Sequence, residues 1–223
     1  MSQSALRDTP HQFLIVDDHE AILAGITPGL QQRYPQADII TAQDAQTAKS
    51  RLSQQMPTFV VLDLILPESK QSPATAQTGI QLLQQIMNSP AAPHLMALSV
   101  DIRPLIQIKA DINAYRSGFV AMNKAEPLKE IVDTVDIALR GSIYLPPEVR
   151  SRPEFDQRWL QVLTLKYQEG LSDRAIAQAM GISDRTVRNY WSRIQDALNI
   201  YDDNQKDLRI QIQQAAKRVG LIP

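Results

Sequence analysis

Residues 13–26 read FLIVDDHEAILAGI: four apolar residues, two adjacent aspartates, then the opening of a helix. An apolar run cut off so abruptly by charge fits a strand buried on both faces. The strand itself is QFLIV (12–16), and four segments of the same kind follow: DIIT (38–41), TFVVL (58–62), HLMAL (94–98) and FVAM (119–122). Between them apolar residues return at helical spacing, as in Ile80, Leu82, Leu83, Ile86 and Met87, or Leu128, Ile131, Val132, Val135 and Leu139. Strands alternating with helices imply βαβ crossovers. The expectation is an α/β, doubly wound, parallel five-stranded sheet over residues 1–140.

Ligands of such a sheet bind beyond the carboxyl ends of the strands, where the strand order reverses. Asp17 and Asp18 follow the first strand directly, and Asp63 follows the third in VVLDLILP. If those strands are neighbours, three carboxylates meet at one edge and raise one another's pKa unless a cation sits among them. Hard oxygen ligands of this kind suit Mg²⁺. Ser99 ends the fourth strand and Lys124 follows the fifth, a hydroxyl and an ammonium suited to phosphoryl oxygens. A single aspartate after a strand is an ordinary helix cap or first-turn acid. Five such residues in order at the ends of four strands are not. His19 is read as a solvated first-turn residue.

This constellation resembles the receiver domain of two-component response regulators of the NarL/FixJ class, over roughly residues 12–140. The run VDDHEAILAGI and Pro67, four residues after Asp63, add to the match. The resemblance implies a flavodoxin-like fold in which Asp63 is the phosphoacceptor for a sensor histidine kinase. It implies that Asp18, Asp63 and the backbone carbonyl of Ile65 ligate Mg²⁺ while Asp17 holds a bound water. It also implies that Lys124 bridges to the phosphoryl group and that Ser99 moves towards it. Two features depart from the family. The stretch LPESKQSPATAQTGI delays the usual glycine to Gly79, lengthening the loop by roughly eight residues at little cost. Ala121 stands where the family carries the Tyr or Phe of its switch. An alternative therefore stays open: a DNA-binding regulator independent of phosphorylation, its receiver acting as a dimerisation or docking module.

Further along, GSIYLPPEVRSRP breaks the alternation with one glycine and three prolines, which suits a linker over 141–154. Residues 155–223 read as a small all-α domain, with helices near 155–169, 173–180, 184–198 and 204–218. In GLSDRAIAQAMGISDRTVRNYWSRIQDALNI, Ser172 and Ser183 each precede an acidic first turn, as helix N-caps do. Gly181 permits the tight turn of a helix-turn-helix. Ile176, Ala177 and Met180 form one apolar face; Val187, Trp191, Ile194 and Leu198 form the other. The pattern resembles the LuxR-type helix-turn-helix. That resemblance implies that Arg188, Asn189 and Ser192 face base edges of double-stranded DNA, with Arg185, Thr186 and Arg193 on phosphates. Arg and Asn suit guanine and adenine respectively. Tyr190 and Trp191 are read as packing residues, and Leu208, Ile212 and Ala216 as contributors to a homodimer.

The bulk numbers agree with this division. Residues 1–150 carry 12 Lys/Arg and 15 Asp/Glu, a balance of −3, whereas residues 151–223 carry 11 and 9, a balance of +2. A nucleic-acid site must then be a local patch. With no cysteine there is no disulfide framework and no thiolate chemistry. No apolar run is long enough to cross a bilayer and the N-terminus lacks a signal-peptide pattern, so a cytoplasmic protein with no membrane partner is expected. No catalytic residue is assigned. A phosphatase of the dehalogenase type needs a second aspartate where Ile65 stands, and no glycine-rich nucleotide loop follows any strand. A protein-binding adaptor would lack salt-dependent DNA affinity.

Overall fold

The computed structural model describes residues 11–151, 155–200 and 207–222. Residues 152–154 of the expected linker and the first residues of the helix placed at 204–218 lie outside these. The described residues form two compact units. One joins those up to Ile102 with Asp111–Arg150; the other joins Arg103–Ala110 with those from Ser151 onward.

The first unit alternates β1 (Gln12–Val16), α1 (Glu20–Arg33), β2 (Asp38–Ala42), α2 (Ala45–Gln54) and β3 (Phe59–Leu62). After a hairpin, β4 (Leu66–Pro67) with β5 (Ala74–Thr75), come α3 (Ala76–Met87) and β6 (His94–Ser99). The chain returns through β7 (Phe119–Asn123), α5 (Leu128–Leu139), β8 (Ile143–Tyr144) and α6 (Pro147–Arg150). The main sheet is parallel in the order β2-β1-β3-β6-β7-β8. Order reverses between β1 and β3, the doubly wound flavodoxin-like arrangement.

Each of the five expected strands is present, and two details differ from the sequence reading. Ile143 and Tyr144, within the stretch read as a linker, pair with Phe119 and Val120 as a sixth, edge strand. The fourth crossover is not one helix. A 3-10 helix (Arg103–Ile108) precedes the short α4 (Lys109–Asn113), and Pro104, which has no N–H, sits in its first turn.

Burial explains the register. Phe13, Ile15, Phe59, Val61, Met96, Leu98, Val120 and Met122 point to one face, against Ile26 and Leu30 of α1, Tyr34 at its C-terminal cap, and Ile131, Val132 and Val135 of α5. The alternate residues Leu14, Val16, Val60, Leu62, Leu95, Ala97, Phe119 and Ala121 are equally buried on the other face. A strand covered on both sides has no polar alternation, which is why these segments read as continuous apolar runs. Arg33 and Tyr34 tie α1 to α5 through Asp136: Arg33 Nη2 and Tyr34 Oη each lie 2.5 Å from its carboxylate.

The second unit contains α7 (Gln157–Tyr167), α8 (Asp173–Met180), α9 (Asp184–Ala197) and α10 (Leu208–Arg218). Ser172 caps α8 by accepting from Ala175 N, and Ser183 caps α9 by accepting from Thr186 N. Gly181 ends α8 with φ +64°, a left-handed cap that glycine adopts without strain. Ile176, Ala177, Val187, Trp191 and Ile194 are buried as expected, while Met180 and Leu198 are half-buried.

Candidate phosphoacceptor site and nucleic-acid interface

The end of β1 and the end of β3 are adjacent because those strands pair directly, so Asp17 and Asp63 meet at the switch point. Backbone bonds fix both turns: Asp17 N donates to Ala42 O and Asp63 N to Val16 O. Each aspartate then accepts from the amide two residues on, Asp17 Oδ1 from His19 N and Asp63 Oδ1 from Ile65 N, both at 3.0 Å. Their other oxygens, Asp17 Oδ2 and Asp63 Oδ2, each lie 2.6 Å from Lys124 Nζ. Lys124 reaches them from the end of β7, where its backbone N–H bonds Ser99 O.

The electrostatics follow from this burial. Side-chain exposure is 7% for Lys124, 3% for Asp17 and 2% for Asp63. Burial raises the Asp17 pKa; the hydrogen bond from Lys124 opposes the rise and the nearby Asp63 charge adds to it. Burial alone would lower the Lys124 pKa, but the hydrogen bonds and charges of the two carboxylates outweigh it and hold the ammonium above its ordinary value. One cation thus bridges two carboxylates and offsets their mutual repulsion.

Asp18 is part-exposed, with His19 Nδ1 2.8 Å from its Oδ1. Asp17, Asp18, His19 and Asp63 each offer a ligand atom within 4.8 Å of the others. Three carboxylates at this spacing form an oxygen-rich donor set compatible with Mg²⁺. His19 is therefore closer to the cluster than its reading as a solvated residue implied, although its side chain is 66% exposed. Its place directly after the acidic pair was the available signal.

Ser99 ends β6 fully buried, and its Oγ has no hydrogen-bond partner among the described residues. An unsatisfied buried hydroxyl is costly. Ala121 is fully buried on β7, paired in register with Ala97. The insertion after Pro67 is the β4–β5 hairpin, and it docks on α2: Gln46 N donates to Glu68 O, and Lys49 Nζ is 2.8 Å from Glu68 Oε1.

In the second unit, Arg185, Arg188, Asn189, Ser192 and Arg193 are all exposed on α9. Their spacing follows the helical repeat, so they share the side opposite Val187, Trp191 and Ile194. Thr186 is half-buried, its Oγ1 bonded to Ser183 Oγ within the N-cap. Trp191 is buried as a packing residue, and half-buried Tyr190 lies 3.5 Å from Arg158 Nη1 through its hydroxyl. Of the residues read as homodimer contributors, Ile212 and Ala216 are buried and Leu208 is half-buried, while Ile210 of α10 is 53% exposed. Sequence reasoning also missed a cluster around Trp191 that includes Asp173, Tyr167 and Arg209. The residues are far apart in the chain and share no spacing signal.

Among the described residues no helix is long and apolar enough to cross a membrane. The family model for Sigma-70, region 4 matches residues 160–195, which span the helix-turn-helix. The response regulator protein VraR of Staphylococcus aureus is 26% identical over 212 residues, covering 87% of this chain and 93% of its own. The transcriptional regulatory protein YdfI of Bacillus subtilis is 23% identical over 202 residues, covering 84% and 89%. Among solved structures, RcsB from Salmonella enterica serovar Typhimurium, bound to promoter rprA in the presence of the phosphomimetic BeF3⁻, superimposes with a TM-score of 0.58. It is 18% identical and covers 94% of this chain and 99% of its own, a likeness of fold. With the strand order, the acidic edge and the helix-turn-helix in place, the chain is similar over most of its length to response regulators, and it joins a receiver-like α/β unit to a C-terminal helix-turn-helix.

Proposed function

We propose that Asp63 accepts a phosphoryl group from the phosphohistidine of a sensor histidine kinase, and that this controls binding of α9 to double-stranded DNA. The observation that carries the reading is the edge itself: Asp17 and Asp63 both bonded to Lys124, with a buried Ser99 hydroxyl that has no partner among the described residues. In the transfer an Asp63 carboxylate oxygen forms a bond to phosphorus as the P–N bond to the donor imidazole breaks. Lys124 is already on Asp63 Oδ2; as an Asp63 oxygen becomes the bridging oxygen of the acyl phosphate, the ammonium moves to a non-bridging phosphoryl oxygen. Ser99 then gains the acceptor it lacks, which draws the end of β6 towards the phosphate. Asp18, Asp63 and the carbonyl of Ile65 would hold Mg²⁺, with Asp17 binding a coordinated water. When bound, the ion neutralises phosphoryl charge in a loose transition state.

On the DNA side, Arg188, Asn189 and Ser192 face base edges while Arg185, Thr186 and Arg193 bind phosphates, with two copies on a two-fold site. Intact mass after incubation with acetyl phosphate tests the acceptor. A single phosphoryl adduct that needs Mg²⁺ and disappears in Asp63→Asn supports the reading.

A second reading is favoured by one observation. Ala121 has no aromatic ring to follow Ser99, so the usual relay is missing. If no adduct forms from acetyl phosphate or from a phosphorylated kinase domain, the chain is a phosphorylation-independent regulator whose receiver serves for docking or dimerisation.

A further inference from the structure

One side chain from each of the four helices α7 to α10 meets around Trp191. Arg209 of α10 lays its guanidinium carbon 3.7 Å from the centroid of the Trp191 ring. Its Nη2 also pairs with Asp173 Oδ2 at 2.9 Å, in the first turn of α8. The other oxygen of Asp173 accepts from Trp191 Nε1 at 3.2 Å. Tyr167, the last residue of α7, sets its ring edge-on to the indole at 6.0 Å and donates its hydroxyl to Arg209 O at 2.7 Å. The contacts close on themselves: Asp173 holds the indole edge and the guanidinium, and the guanidinium covers the indole face.

Trp191 is on the buried side of α9, and Arg188, Asn189 and Ser192 are on the exposed side. Turning α9 by about 20° about its axis would move a side-chain base, at a radius of about 5–6 Å, by about 2 Å. That exceeds what a bidentate bond to a base edge tolerates. Packing of Val187 and Ile194 alone resists such a turn weakly, because apolar contact is non-directional. A bonded indole, gripped at its edge and covered on its face, supplies direction. The Arg209–Asp173 pair taken alone is a surface ion pair, 34% and 36% exposed, and such pairs contribute little to stability. Its effect is on orientation.

We propose that Asp173, Arg209 and Tyr167 are positioning residues that lock Trp191 and thereby set the rotation of α9 for base reading. This rests on the proposal that α9 binds DNA. The lock separates α8 and α10 from the DNA contacts themselves: it governs sequence discrimination and leaves the phosphate count alone.

The test uses the full chain and two fluorescein-labelled duplexes, one enriched from a random-sequence pool by the wild type and one a scramble of it. Affinity is measured by anisotropy across a range of salt. Trp191→Phe keeps a ring but loses the bond to Asp173; Arg209→Ala removes the clamp; Arg209→Lys keeps a cation over the indole. Far-UV circular dichroism at the assay temperature establishes the folded fraction. Expected is about a tenfold loss on the enriched duplex for Trp191→Phe and Arg209→Ala, equivalent to one good base contact. Binding to the scramble and the slope of log K against log salt stay as in the wild type, and Arg209→Lys retains most of the discrimination. Equal losses on both duplexes overturn the lock, since they signify only a less folded unit. A slope smaller by about one contact in Arg209→Ala overturns it too, because Arg209 would then bind phosphate. A wild type without salt-dependent affinity for any duplex fails the DNA reading itself, and the lock with it.

Discussion

Lys124 does two jobs with one charge. It offsets the charge of Asp17 and Asp63 in a nearly dry setting, and under the proposed transfer it is the group that meets the phosphoryl oxygen. Removing it leaves two buried carboxylates facing each other. We expect Lys124→Ala to lower stability by on the order of 3 kcal/mol, seen as an earlier urea midpoint, with Mg²⁺ restoring more stability in the variant than in the wild type. A variant that unfolds at the wild-type midpoint would remove Lys124 from this role. A second residue-scale expectation concerns acid. His94 opens β6, with its Nδ1 accepting from Gly118 N and 2.8 Å from Ser117 Oγ. Burial holds its pKa below the ordinary 6.5, and the charge of His11 adds to the effect. The unfolded chain therefore binds the His94 proton first as pH falls, and stability rises with pH through that window. The contribution is complete above pH 6.5 and is lost as the pH drops through the lower folded value. The urea midpoint should fall between pH 7.5 and 5.5, and His94→Gln should flatten that fall; an unchanged slope would assign the acid sensitivity to other groups.

At the scale of elements, the glycine that the sequence shows arriving late turns out to be in place. A Cβ on Gly79, within α3, would lie 2.1 Å from Leu64 O, the carbonyl of the residue after Asp63. The helix packs directly under the acceptor loop, and the added residues are looped out as the β4–β5 hairpin. Gly79→Ala should cost about 1–3 kcal/mol by overpacking and slow phosphorylation of Asp63 beyond what the folded fraction explains. Normal phosphorylation kinetics in a folded Gly79→Ala would show that the acceptor loop is independent of α3. Much of this architecture was legible in the sequence for a physical reason. Strands buried on both faces have no polar residue to dilute their apolar runs, and the carboxylates of the site follow two such runs directly. The missed elements lacked that signal: β4, β5 and β8 have two residues each, below any period, and the fourth crossover is a 3-10 turn led by a proline. The Trp191 cluster was hidden differently. Asp173 and Arg209 stand 18 residues before and 36 residues beyond their respective partners in it, Trp191 and Asp173, so only the tertiary fold joins them. Periodicity likewise shows that the face of Leu208, Ile212 and Ala216 is apolar without showing what covers it.

For the whole molecule, the two units bear two chemistries: an edge of carboxylates and a lysine in one, and an exposed Arg–Asn–Ser helix face in the other. Under the proposed function a phosphoryl group on Asp63 joins them by changing the affinity of α9 for DNA. The measurement that tests this most directly is the dissociation constant for a duplex enriched from a random pool, at fixed salt, with and without acetyl phosphate and Mg²⁺, beside Asp63→Asn. At least fivefold tighter or weaker binding is expected on phosphorylation, the lower range of a typical coupling between sites, with no change in Asp63→Asn. Stoichiometric phosphorylation of Asp63 that leaves the dissociation constant unchanged would contradict it.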